Sequence, residues 1–104
     1  MENKNPNPNE INVELPEDAA EGIYSNLAII THSNSEFVVD FVRMMPGVPK
    51  AKVKSRIILT PQHAKRLLHA LQENITKYEA NFGEIKDFEG GFKLPLNLGP
   101  NAQA

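Results

Sequence analysis

Lys52-Val53-Lys54-Ser55-Arg56-Ile57-Ile58-Leu59-Thr60-Pro61 decides the fold of this 104-residue chain, because an alternating strand ends there on the start of a helix. Val53, Ser55, Ile57 and Leu59 fall on one side of an extended segment, and Lys52, Lys54, Arg56 and Ile58 on the other. Thr60 suits a helix N-cap, since its hydroxyl can accept from an orphan backbone amide. Pro61 suits the first helical position, where no intrahelical N–H is needed. From there Ala64, Leu67, Leu68, Leu71, Ile75, Tyr78 and Phe82 recur at steps of three and four, and Gly83 supplies a C-terminal stop. The spacing predicts a helix over residues 61–82, about 33 Å long at 1.5 Å per residue. Its stripe is expected to cover the sheet face that holds Phe37, Val53 and Ile57.

Working toward the N-terminus, Pro46-Gly47-Val48-Pro49 is a connector, because proline lacks the ladder N–H and glycine weakens a strand. Before it, residues 23–31 and 36–44 are rich in β-branched and aromatic side chains and flank the turn formers His32-Ser33-Asn34-Ser35. They read as a β-hairpin. Phe37, Val39 and Phe41 share one face of its second strand, and Val38, Asp40, Val42 and Met44 the other. Ile11-Asn12-Val13-Glu14-Leu15 alternates over five residues, as a short strand or an extended arm would. The expected fold is therefore α+β: a three- or four-stranded antiparallel meander followed by one long amphipathic helix packed on one sheet face. Residues 1–10 form a disordered arm in this reading, 11–83 a single domain, and 84–104 an extended or disordered tail carrying Phe88, Phe92, Leu94, Leu96 and Leu98.

Composition narrows the function. With no cysteine, there is no disulfide, no thiolate metal site and no cysteine nucleophile, which fits a reducing compartment and makes the cytoplasm the expected location. No apolar signal core and no membrane-spanning run stands in the sequence. The net charge of −2 hides an asymmetry. Residues 1–22 hold six acids against one lysine, whereas residues 23–82 hold eight Lys or Arg against four acids. A basic body with an acidic arm points to an anionic partner, or to an arm that screens its own domain.

Two surfaces stand out. Lys50, Lys52, Lys54 and Arg56 form a basic row, extended by Lys65 and Arg66 of the helix and by Arg43 and His69. Their spacing is close to that of successive phosphates along a nucleic-acid strand, but no aromatic residue is interleaved for base stacking, and an acidic protein is the expected partner ahead of a nucleic acid. The same row also serves as an ordinary solvated strand face, with Glu36 and Asp40 as cross-strand partners. The second surface is the apolar sheet face expected to gather Tyr24, Ala28, Ile30, Val38, Val42, Met44 and Ile58. One helix cannot cover both sides of a sheet, so either the C-terminal segment folds over this face or another chain does; a homo-oligomer of two or more chains is the expectation, unless a bulge shifts the parity. His63 and His69 are six apart and lie on different helix faces, so with His32 they make no metal site. No nucleophile sits on a strained turn, and neither an enzyme activity nor a cofactor is expected.

Glu21-Gly22-Ile23-Tyr24-Ser25-Asn26 and Ser55-Arg56-Ile57-Ile58-Leu59-Thr60-Pro61-Gln62-His63-Ala64-Lys65-Arg66-Leu67 resemble the core of a bacterial domain-of-unknown-function family, number 3467. The resemblance covers about residues 15–83. It implies a small bacterial protein with this order of elements and no assigned activity, and it carries over no catalytic residue. At the level of topology the chain is also similar to the SecB export chaperone, whose sheet is followed by a helix. The tail Phe92-Lys93-Leu94-Pro95-Leu96-Asn97-Leu98 is similar to that protein's proline-leucine-asparagine segment. That likeness implies a holdase for unfolded clients.

Overall fold

The turn residues and the two periodicities act where they stand in the chain. In the computed structural model, which describes residues 9–87, the order is α1 (Glu17–Ala20), β1 (Leu27–His32), β2 (Phe37–Arg43), β3 (Lys52–Leu59) and α2 (Pro61–Phe82). The strands form one antiparallel meander in the order β1-β2-β3. The β1–β2 turn is tied by Ser33, whose N–H donates to the Glu36 carbonyl at 2.9 Å and whose hydroxyl accepts from the Ser35 amide at 3.1 Å. An α+β fold with three strands and a long C-terminal helix is what the chain forms. The alternating segment at residues 11–15 adds no fourth strand. Ile11, Val13 and Leu15 are exposed, and α1 follows them directly after Pro16.

The β2–β3 register departs from simple alternation. Phe37 faces Leu59, Val39 faces Ile57 and Phe41 faces Ser55, but Val42 then faces Val53, which leaves Lys54 as the extra residue of a bulge. Opposed residues of antiparallel strands project on the same side. One sheet face therefore carries Ala28, Ile30, Phe37, Val39, Phe41, Ser55, Ile57 and Leu59. The other carries Leu27, Ile29, Val38, Asp40, Val42, Arg56, Ile58 and, beyond the bulge, Val53. The expectation that Val53 shares a side with Ile57 is thus corrected.

The β3–α2 joint follows the local chemistry closely. Thr60 is extended, with φ −70° and ψ 155°, and its hydroxyl accepts from the His63 amide at 3.1 Å, a cap of about 1 kcal/mol. The helix ends at Gly83, whose φ of 99° is a region that a side chain disfavours and whose N–H donates to the Glu79 carbonyl at 3.0 Å.

Packing of that helix differs from expectation. The elements in close contact are β1 with β2 and β2 with β3. No residue of α2 is buried, and Leu67, Leu68, Leu71, Ile75, Tyr78 and Phe82 all stay exposed. The helix therefore does not lie across a face of its own sheet. Among the described residues, Val39, Asp40, Val42 and Leu59 are the buried ones. Three of the four lie on β2, the central strand, where neighbours on both sides shield side chains without any second layer. Among the described residues, a helix stripe and much of both sheet faces are left without cover.

Candidate interaction surfaces

The entry to β1 is held by side chains acting as backbone. The Asn26 side-chain amide donates to the Met44 carbonyl at 3.1 Å, and its oxygen accepts from the Met44 N–H at 2.8 Å. This reproduces one rung of a strand ladder just past the end of β2. The Asn26 N–H donates to the Val42 carbonyl, which also receives the Ser25 hydroxyl at 3.0 Å. Gly22, with φ 78°, turns the chain out of α1 toward this anchor. Against the sheet, Asp18, Ala19, Gly22, Ile23 and Ser25 enclose a groove of about 470 Å³ with Phe41, Ser55 and Ile57. Turn formers just ahead of an apolar run were the one sequence signal for this anchor.

The basic row breaks up at the bulge. Lys50, Lys52 and Lys54 line a small cleft of about 170 Å³ together with Arg43, Met45 and Val48. Arg43 faces Lys52 across the ladder, and its Nη2 lies 3.2 Å from the Met45 sulfur. Among the described residues, no acid of the N-terminal segment lines this cleft. Lys65 and Arg66 sit on the first turns of α2, past the far end of β3 from Lys52, roughly 23 Å away along the strand. They belong to a different part of the surface.

Arg56 leaves the row altogether. Its Nε and Nη2 donate to the two carboxylate oxygens of Asp40 at 2.7 and 2.9 Å, so the cross-strand pairing available to Asp40 is made, and with both oxygens. Asp40 is only 7% exposed, whereas the Arg56 side chain keeps 63% of its surface in solvent. Those hydrogen bonds chiefly, with the guanidinium charge behind them, hold the Asp40 pKa below the ordinary carboxylate value against the opposing effect of burial. A depressed carboxyl pKa stabilises the fold above the unfolded pKa, near 3.9, and that stability is lost as pH falls through the lower folded value. Asp40→Asn is therefore expected to lower the urea midpoint at pH 7. The gap to the native chain should close below about pH 4; a gap independent of pH would remove the ion pair from the account.

The apolar residues expected on one face divide between two. Ala28 and Ile30 share a side with Phe41 and Val39, while Val38, Val42 and Ile58 lie on the opposite side with the Asp40–Arg56 pair. Tyr24 precedes β1 and is 69% exposed, and Met44 follows β2 with its peptide held by Asn26. Which residues of neighbouring strands share a face is set by their register, which the alternation within each strand does not give. His32 stacks on Phe37 with centroids 5.4 Å apart. No cluster of three or more His, Asp or Glu able to hold a metal ion occurs among the described residues. Nor is any described helix long and apolar enough to cross a membrane.

A model of the family described as Protein of unknown function (DUF3467) matches residues 1–87. The chain belongs to that family. The match extends beyond the residues on which the resemblance rested and takes in every element of the fold. Within this DUF3467 chain the first resembling stretch supplies the Ser25–Asn26 anchor and the wall of the groove, and the second supplies β3 and the capped start of α2. No curated protein and no solved structure matches the chain. The topology-level likeness to the SecB export chaperone gains nothing from these comparisons.

Proposed function

We propose that the chain is a non-enzymatic, cytoplasmic interaction module that works as a homo-oligomer and presents a basic cleft to an acidic partner. One observation carries the reading. Among the described residues, Val39, Val42 and Leu59 are the buried hydrophobic ones, while the sheet leaves Ile30, Ile57 and Ile58 exposed and the helix leaves every large apolar residue of its stripe exposed. A three-stranded sheet needs a packed face to be stable on its own, and contiguous apolar surface of this kind marks an interface. The absence of cysteine suits the reducing cytoplasm.

Light scattering at micromolar concentration is expected to give at least twice the chain mass. A monomer there would overturn the oligomer. For the acidic partner, the cleft of Arg43, Lys50, Lys52 and Lys54 supplies the charge complement. Changing Lys50, Lys52 and Lys54 to Gln should weaken capture of an acidic polypeptide and leave the oligomer intact. Affinity for any single-stranded nucleic acid that falls steeply with salt would favour the nucleic-acid alternative. Suppression of client aggregation by a monomeric form would favour a holdase.

A further inference from the structure

The α2 stripe has a repeat as well as an exposure. Ala64, Leu68, Leu71, Ile75, Tyr78 and Phe82 follow steps of four, three, four, three and four, a 3.5-residue repeat maintained from the second turn of the helix to its end. In heptad terms Leu68, Ile75 and Phe82 occupy a, and Ala64, Leu71 and Tyr78 occupy d. The flanking e positions are Lys65, Gln72 and Glu79, and the g positions Leu67, Asn74 and Asn81. The five large seam residues are all exposed within the chain, from 39% at Ile75 to 74% at Phe82, and Ala64 is half-buried, with Tyr78 and Phe82 in ring contact at 5.0 Å.

The identities of these residues select an orientation for two such helices. Side by side in parallel, Ala64 would meet Ala64, and Tyr78 and Phe82 would each meet themselves, so the layers run from a gap to a clash. The flanking contacts would be Leu67 with Gln72 and Asn74 with Glu79, neither of them a pair of opposite charges. Antiparallel, about a twofold axis level with Glu73, Ala64 lies opposite Phe82 of the second copy, Leu68 opposite Tyr78 and Leu71 opposite Ile75. Small then meets large in the outer layers. Lys65 of each copy also lies opposite Glu79 of the other, giving two symmetric pairs of opposite charge. One Glu79 oxygen accepts from the Ile85 N–H at 3.0 Å, which leaves the second oxygen for the lysine.

We propose that α2 is the contact between two copies of this chain, an antiparallel helix pair flanked by Lys65–Glu79 bridges between the copies. The proposal rests on the homo-oligomer reading and names its surface and partner. A seam of two and a half heptads is too short to hold two free helices together. Here each helix is already started by the Thr60 cap and tethered to a sheet, which lowers the ordering cost. The antiparallel arrangement also brings Phe82 of one copy to the level of Ala64 of the other, one turn beyond the end of its sheet.

Charge reversal tests the pairing directly. By sedimentation equilibrium, Lys65→Glu is expected to weaken the dimer about tenfold, because it creates two like-charged contacts. Adding Glu79→Lys should restore association to within a few-fold of the native chain. Because the native chain has no cysteine, Gln72→Cys, placed at the twofold axis, should be joined to its copy by a short bismaleimide. Leu68→Cys, displaced from its copy by about 15 Å along the seam, should not be. A dimer in which the double reversal stays weak, or in which Leu68→Cys cross-links and Gln72→Cys does not, would overturn the antiparallel seam and leave the oligomer standing. A native chain that stays monomeric would overturn both.

Discussion

Changing Leu71 and Ile75 together to Glu is expected to abolish self-association, by more than a hundredfold in the dissociation constant. Within one chain these side chains are 56% and 39% exposed, so glutamates there can reach solvent. In an assembly built on α2 they would occupy the central layers of the seam. Burying unpaired carboxylates away from water costs several kcal/mol, and every 1.4 kcal/mol is a factor of ten in affinity. Sedimentation at several concentrations reads the result, with strand signal by circular dichroism as the check that the sheet persists. Unchanged association would mean that copies meet elsewhere, the open sheet faces being the remaining apolar surface.

The second large effect lies inside the chain. Leu59 is 8% exposed, faces Phe37 across the ladder and is the last residue before the Thr60 cap, so it joins the sheet to the helix. Leu59→Ala is expected to cost about 2–4 kcal/mol. For a domain of this size that lowers the melting temperature by roughly 10 °C or more. Ile58, its neighbour, is 57% exposed and lies on the opposite face with Val38. Ile58→Ala should therefore cost well under half as much. If thermal melts show equal losses for the two, that face is covered in the assembled protein, and the sheet joins α2 as an interface.

The Asp40–Arg56 pair bears on the same question. It lies among Val38, Val42 and Ile58 on an otherwise apolar face, with its guanidinium in solvent. Covering that face with another chain would desolvate Arg56, and a buried ion pair is stable only when its geometry is good. The two-point contact of Arg56 with Asp40 meets that condition in advance. An open face is equally compatible with the pair, so α2, which carries no such charge on its stripe, remains the stronger candidate for the contact between copies.

Local chemistry determined the elements of this protein. Thr60, Pro61 and Gly83 bound α2 to the residue, because caps and left-handed stops act through the backbone of adjacent residues. Strand periodicity likewise placed β3 at Lys52–Leu59, and the turn formers at residues 32–35 placed the hairpin. What only the tertiary structure decided is how these elements face one another. The bulge at Lys54 is set by the fit of β3 against β2, and one extra residue inverts every side chain beyond it, which separates Val53 from Ile57 and Arg56 from Lys52; the register of β1 on β2, equally non-local, separates Ala28 and Ile30 from Val38 and Val42. The direction in which α2 leaves the sheet has no local signal either. An amphipathic stripe states that a helix needs a partner, and it is equally satisfied by the chain's own sheet or by another copy. Here the stripe turns away from its own sheet, and the same residues that predicted a packed core instead form an open surface.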